Sequence, residues 1–468
     1  MSQKQVSNSD RVTYRRARLA RDARFDGQFF TAVKTTGIYC RSICPANPPM
    51  ERNVDYYLTA IGAAQAEFRP CLRCRPDSAP HSYAWLGTRT TFQRALDLLT
   101  KAESEHNSIP DMARRLGISD RYLRDLFNTY LGVSPKKYQI YQQCLFAKQL
   151  LHDTALPITQ IAFAAGFNSV RRFNEAMQQR LALTPTQIRN RSRPITSMLS
   201  LKLYYRPPFA WQHSHNFLRK RAIINLEWSE KGSYSRTIRY RDSKGYFTVE
   251  NIAAENYLLL HINLDDYQHL YAVVQRIRAL FDLDASIEQI DQQLGAQLPG
   301  AFNYLIGLRV PGIWSTFEAG IRAILGQQVT VTQAQNLVAI LVEKLGDNLT
   351  IEGQSVRKLF PEPRQICNQS LHFLRMPQAR KDAILHLAEY FASEPDSDNI
   401  DHWLGLKGIG PWTIDYVKMR GSKDPDIWLA GDAGINNVLK RFNIDLDTQK
   451  SKPWRSYLTM QLWNQLNG

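Results

Sequence analysis

The sequence predicts a multidomain chain: a small α+β module, then an all-α tandem of helix-turn-helix units, then a mainly α region entered through an antiparallel β-sheet. Three observations carry this. Four of the six cysteines lie within residues 40–74, as a C-x-x-x-C pair and a C-x-x-C pair. Two segments between residues 108 and 188 echo one another as helix, glycine turn, helix. An L-x-G-I-G turn joins two helical patterns at residues 406–410. At 468 residues the chain has room for roughly three domains. The boundaries read as 1–81, 82–195 and 200–468, with the polar stretch RNRSRPITS at 189–197 as a linker.

Composition narrows the setting. Hydrophobic residues make up 44% and charged residues 22%, which is ordinary for a globular protein with ample core. No apolar run approaches the ~20 residues that span a bilayer, and the arginine-rich N-terminus lacks the apolar stretch of a secretory signal. Clustered thiols without such a signal point to a reducing cytoplasm, and to metal rather than disulfides. The net charge of +16 is uneven: residues 1–200 carry 29 Lys+Arg against 15 Asp+Glu, residues 201–468 carry 30 against 28. The first part therefore has the footprint of a polyanion binder, the second close to none.

In the first module, Cys40 and Cys44 are separated from Cys71 and Cys74 by 26 residues. Two short-spaced pairs flanking a loop suit tetrahedral Zn2+ held by thiolates. A purely structural zinc site explains that spacing. A zinc-bound thiolate also stays nucleophilic, and Arg41, Arg73 and Arg75 beside the cysteines would draw in a phosphate backbone, so spacing leaves a reactive sulfur open. The other two cysteines, Cys144 and Cys367, fall in apolar or helix-like settings and read as core.

In the second module, SIPDMARRLGISDRYLRDLFNTYLGVSPKKY is echoed by ALPITQIAFAAGFNSVRRFNEAMQQRLALTPTQI. Each copy has a short helix, a turn at Gly117 or Gly166, and a second helix, the spacing of a helix-turn-helix. The second helices are expected to start near Ser119 and Asn168. They would present Arg121, Tyr122 and Arg124, then Ser169, Arg171 and Arg172, to the major groove of double-stranded DNA. One copy alone is equally a helical bundle with a basic solvated face; the duplication and the charge favour DNA.

In the third module, LKGIGPWTIDYVKMR at 406–420 has the pattern of a helix-hairpin-helix. Gly408 and Gly410 would allow a tight turn whose backbone N–H groups approach phosphate, with Thr413 as a further DNA contact. G-x-G alone is equally an ordinary interhelical turn. Asp432, opening a helical pattern in DIWLAGDAGINNVLKRF, by itself reads as an N-cap.

Family resemblance sharpens each module. FTAVKTTGIYCRSICPA and FRPCLRCRPD resemble the zinc methyl-acceptor domain of Ada-type alkylation-response regulators. That resemblance implies Zn2+ bound by Cys40, Cys44, Cys71 and Cys74, with Cys40 taking a methyl group from a DNA methylphosphotriester. It departs from the family pattern at Pro45 and Asn47, where basic residues are usual. IAFAAGFNSVRRFNEAMQQRLALTPTQIR resembles the second helix-turn-helix of AraC-type regulators, which implies promoter DNA and RNA polymerase as partners. LYYRPPFAW, HINL, RALFDLD, FEAGIRAILGQQVT and KPWRSYLTMQLW, together with the hairpin, resemble 3-methyladenine DNA glycosylase II.

That last resemblance implies excision of alkylated bases from DNA. Asp432 would be the catalytic carboxylate, Trp412, Tyr416 and Trp463 the aromatic base pocket, and Gln328 the wedge that fills the gap left by a flipped base. Trp412 stands where bifunctional relatives carry a Schiff-base lysine, so the implied enzyme is monofunctional and leaves an abasic site. No cofactor is implied for the glycosylase, with a monovalent cation at the hairpin as an option. No P-C-H-R motif occurs, so no O6-alkylguanine repair is expected. The remaining expectations are a monomer with no membrane partner, cytoplasmic and nucleoid-associated. The alternative is a transcription regulator whose glycosylase-like domain only holds DNA.

Overall fold

The computed structural model describes residues 8–21, 25, 29–58, 60–71, 73, 74, 76, 88–100, 108–189, 199–298, 302–351, 356–393, 400–444 and 446–467. They form two compact units, one ending at Tyr138 and the other running from Gln139. The boundary falls inside helix Pro135–Asp153. No described helix is long and apolar enough to cross a membrane.

The first unit opens with helix Asn8–Leu19 and a four-stranded sheet in the order β3-β1-β2-β4. Its strands are β1 Phe30–Val33, β2 Ile38–Arg41, β3 Val54–Tyr57 and β4 Arg69–Pro70. β1 lies antiparallel to β2 and β3, while β4 runs parallel to β2. Gly37, at φ +65°, makes the β1–β2 turn. Phe30, Ala32 and Tyr39 pack with Ala63 of helix Ala60–Gln65. Ala17 of the first helix packs with Phe29, Val54 and Tyr56. The expected α+β module is present.

The first helix-turn-helix lies in the same unit. Ser108 caps helix Ile109–Arg115 in a capping box with Asp111. Gly117 turns the chain at φ +67°, and Ser119 caps helix Asp120–Leu131. Met112, Leu123 and Phe127 bury their side chains with Phe92 of helix Thr88–Thr100.

The second unit holds the other helix-turn-helix: helix Ile158–Ala164, Gly166 at φ +82°, and helix Val170–Leu181. The second helix starts at Val170 rather than near Asn168, because Ser169 accepts from the Arg172 N–H and is the cap. A five-stranded antiparallel sheet follows in the order β5-β9-β8-β7-β6, with β5 Leu199–Tyr204, β6 Glu227–Trp228, β7 Tyr234–Tyr240, β8 Ser243–Ile252 and β9 Tyr257–Leu264. Alternation of buried residues along β5 and through Glu250 of β8 gives the sheet one core face.

One apolar core joins these two parts. Phe146, Ala147 and Leu150 of helix Pro135–Asp153 share a cluster with Leu201 and Leu203 of β5 and Tyr271 of helix Leu270–Leu280. The Phe146 and Tyr271 rings meet edge-on at 5.1 Å. Gln149 Nε2 donates to the Lys202 carbonyl at 2.8 Å, satisfying an outward group of the edge strand. Cys144 is fully buried in this core, as expected, while Cys367 is half-buried beside a second cluster.

Helix Thr316–Leu325 is buried along nearly its whole length. It is tied to the sheet by a buried cluster of two arginines and two glutamates. Arg236 of β7 meets Glu318 at 2.9 Å and Glu227 of β6 at 3.5 Å. Arg322 meets Glu318 at 2.7 Å and Glu227 at 3.0 Å. The helix ends in the Gly326–Val329 turn, which this cluster therefore anchors.

Candidate functional site

The four N-terminal cysteines converge. Cys40 sits on β2, Cys44 lies in the turn after it, and Cys71 and Cys74 follow β4. Backbone pairing brings them together: the Cys71 N–H donates to the Tyr39 carbonyl at 3.0 Å and the Cys44 N–H to the Arg41 carbonyl at 3.2 Å. All four sulfurs lie within 4.8 Å of one another, with Cys44 and Cys71 at 4.0 Å. Thiolates around one tetrahedral zinc stand ~3.8 Å apart, given Zn–S bonds of about 2.3 Å.

The donor set also fits a dication on charge. Hydrogen bonding to Cys44 and Cys74, with burial, drives the Cys40 thiol far up. The same bond from Cys40 pulls Cys44 down. Four sulfurs this close cannot all be thiolates without a cation between them. Arg41 does not reach for phosphate as expected. It is 2% exposed, its guanidinium donates to the Cys74 carbonyl at 3.2 Å, and its N–H points at the Cys74 sulfur at 3.4 Å. It braces the metal loop. Arg73 is exposed, and Arg75 lies outside the described residues.

The helix-turn-helix residues fall on solvent-facing first turns. Arg121, Tyr122 and Arg124 are exposed, with Arg124 held to Asp120 at 2.6 Å. Arg171 and Arg172 are exposed too, Arg171 pairing with Glu175 at 3.0 Å. Ser169 spends its hydroxyl on the cap, which leaves it half-buried.

In the second unit the L-x-G-I-G turn leads into helix Pro411–Arg420. Gly408 has φ +92°, and a Cβ there would stand 2.6 Å from Ala383 Cβ, so only glycine fits. Gly410 differs from expectation: its backbone is extended at φ −103° and a Cβ would meet nothing within 4 Å. It caps the helix without a side chain, leaving the first-turn N–H groups open. The Thr413 hydroxyl is buried and accepts from Gln327 Nε2 at 3.2 Å, so any DNA contact there would use its backbone.

Trp412 and Tyr416, one turn apart on that helix, stack at 5.3 Å and 22°. Tyr416 accepts from Arg420 at 3.0 Å. Asp432 caps helix Ala433–Arg441, its Oδ1 accepting from the Ile435 N–H at 3.0 Å and from Trp463 Nε1 at 3.1 Å. Both readings of Asp432 are thus compatible: the cap uses one oxygen, and Oδ2 has no donor among the described residues. Trp463 belongs to helix Arg455–Asn464 and stacks on Phe217 at 6.5 Å and 15°. Phe217 in turn faces Arg420 at 4.8 Å. Two stacked ring pairs, Trp412–Tyr416 and Phe217–Trp463, are bridged by the Arg420 guanidinium, and the second pair leads to Asp432.

Gln328 stands exposed in the turn after helix Thr316–Leu325 with φ +56°. Its neighbour Gln327, which sequence reading passed over, is the anchor. It donates to Thr413, and its carbonyl accepts from Arg380 at 2.8 Å. Phe217 was missed as well. Both act across gaps of 53 residues or more, and only the apolar F-L pair at 217–218 hinted at a buried helix face.

Comparison with known proteins agrees with this layout. The family described as the metal binding domain of Ada matches residues 13–77, a helix-turn-helix domain matches 112–191, and the AlkA N-terminal domain matches 200–315. A probable bifunctional transcriptional activator/DNA repair enzyme AlkA of Mycobacterium tuberculosis is 33% identical, covering 96% of this chain and 95% of its own. DNA-3-methyladenine glycosylase 2 of Escherichia coli is 31% identical over 56% of this chain and 95% of its own. The Escherichia coli bifunctional transcriptional activator/DNA repair enzyme Ada is 33% identical over 37% of this chain and 47% of its own. With its cysteine cluster, helix-turn-helix pair and hairpin in this order, and a relative matched along nearly its whole length, the chain belongs to the family of Ada-type regulators fused to a 3-methyladenine DNA glycosylase.

Proposed function

We propose that the protein repairs and senses DNA alkylation by two chemistries: a monofunctional glycosylase that turns over, and a cysteine that accepts one methyl group. The observation that carries the first is the Oδ2 of Asp432, without a donor among the described residues, beside a Trp463 indole stacked on Phe217. Cleavage of a purine glycosidic bond builds positive charge on the sugar. A carboxylate held by a helix N-terminus and an indole N–H is pre-oriented to stabilise it. Trp412, Tyr416 and Trp463 offer π faces on which an extruded, often cationic, alkylated base can stack. The anchored Gln327 holds the turn from which Gln328 can fill the vacated stack. A residue with no amine at position 412 cannot form a Schiff base, so the strand stays uncut.

For the second chemistry, the Cys40 sulfur attacks the methyl carbon of a methylphosphotriester. The carbon–oxygen bond breaks, its electrons return to the phosphate as a diester anion, and Cys40 becomes a thioether. Zinc held by Cys40, Cys44, Cys71 and Cys74 would keep the sulfur unprotonated. Removing one negative charge from the cluster lowers its repulsion for DNA, which supports a methylation-switched activator acting on promoter DNA through both helix-turn-helix units.

The test is release of bases from methylated duplex DNA by wild type and by Asp432→Asn. The variant is expected to lose at least about a hundredfold in rate while keeping DNA affinity. Equal release by both would remove Asp432 from the catalytic role.

A further inference from the structure

Two guanidinium groups stand against the Phe217 ring with no carboxylate partner among the described residues. Arg221 follows helix Trp211–Arg219, and its Cζ lies 3.8 Å from the centroid of the Phe217 ring. Its Nη1 donates to the Phe217 carbonyl at 3.3 Å. Arg420 lies 4.8 Å from the same ring and 5.7 Å from that of Tyr416. Its donors go to the Pro311 and Gly312 carbonyls and the Tyr416 hydroxyl, all uncharged. Among the described residues neither guanidinium is paired with an Asp or Glu. Burial, together with the Arg420 charge, brings Arg221 down to about 10, still a cation at neutral pH.

The contrast with the Arg236–Arg322 cluster is plain, since there two buried arginines meet two buried glutamates. A desolvated cation without a counter-charge is costly unless something anionic meets it. Phe217 stacks on Trp463, and Trp463 holds Asp432, so both guanidiniums lie against a ring one contact away from the indole that holds the carboxylate.

We propose that Arg221, backed by Arg420, is a specificity-determining residue that stabilises negative charge on the departing base and so favours uncharged lesions over cationic ones. This rests on the glycosylase reading. The bond from the sugar C1′ to the base nitrogen breaks with its electron pair going to nitrogen. An N-alkylated cationic purine leaves neutral, and water then adds to C1′ and releases its proton to solvent. A neutral purine such as hypoxanthine leaves as an anion and takes up the proton of the water that adds to C1′. Only the second path builds negative charge on the base. The π faces of Trp412 and Trp463 draw a cation in, and the two guanidiniums oppose it.

The experiment compares single-turnover excision of hypoxanthine and of 7-methylguanine from one duplex sequence by the full-length protein. R221M is expected to lower the hypoxanthine to 7-methylguanine rate ratio by about tenfold. R221K, which keeps the charge, should hold the ratio within about twofold of wild type. Should R221M fail to fold, R221Q makes the same comparison. An unchanged or raised ratio in R221M or R221Q overturns the proposal, including an equal loss on both substrates, which would make Arg221 a packing or phosphate-contact residue. A lysine variant that matches methionine also overturns it. Absence of excision by wild type would instead refute the glycosylase reading itself.

Discussion

Glu318→Gln removes one charge from the buried cluster that fastens helix Thr316–Leu325 to the sheet. Glu318 and Arg236 are each 1% exposed as side chains, and Glu318 contacts Arg236 at 2.9 Å and Arg322 at 2.7 Å. Glutamine keeps the shape but leaves two guanidiniums facing the single carboxylate of Glu227. Breaking a buried pair in this way costs about 3–5 kcal/mol, because the remaining charge stays out of water. Burial pushes the Glu227 carboxyl up, but Arg322 and Arg236 outweigh it and hold the group below its ordinary value. A depressed carboxylate contributes stability that is in place above its unfolded pKa of about 4.3 and is lost as pH falls through the folded value. Denaturant unfolding at pH 7 should show the loss in the transition of the second unit. Excision should fall too, since the helix carries the Gln327–Gln328 turn. A change below about 1 kcal/mol would refute the claim that this cluster is electrostatically balanced and buried.

Three further outcomes follow from the same geometry. Wild type should bind one Zn2+, and Cys71→Ser should lose it together with the fold of the cysteine module, since structural zinc contributes on the order of 10 kcal/mol; circular dichroism with metal analysis reads both. Phe146→Ala should destabilise the second unit, glycosylase sheet included, by about 3 kcal/mol in a thermal melt, because its ring packs on Tyr271 in the shared core. Burial and the nearby Arg221 and Lys220 bring His213 down to about 4. The unfolded chain therefore binds the proton first, and stability is lost as pH falls from about 6.5 towards 4. Relative to His213→Gln, wild type should lose about 3 kcal/mol between pH 7 and pH 4, measured as a difference of unfolding free energies.

Local chemistry was readable and long-range chemistry was not. Four thiols in two short pairs can hardly mean anything but a metal, and β2 and β4 bring them together as the spacing suggests. Gly117, Gly166 and Gly408 each take the positive φ that a glycine in a turn announces. Gly410 sits in the same motif yet needs no special backbone, so the G-x-G pattern overstated it. Arg41 looked like a phosphate contact because it directly follows Cys40 in a basic segment. Its carbonyl partner, Cys74, is 33 residues away and invisible to local reading. The same holds for Arg236 and Glu318, 82 residues apart, and for Phe217 beneath Trp463. Asp432 could be read as a cap from sequence and as a catalyst only through resemblance. In the structure Oδ1 takes both the cap and the Trp463 indole, and Oδ2 is left without a donor among the described residues.

On the proposed function, one chain carries both a consumable methyl acceptor and a catalytic base-excision site. Incubating the intact protein with methylated duplex DNA, then measuring free base and peptide methylation by mass spectrometry, tests it most directly. Many free alkylated bases per protein, uncut abasic strands, and one methyl group confined to Cys40 are the predicted result. No base release in excess of protein, or a methyl group on Cys44, Cys71 or Cys74 in place of Cys40, would contradict it.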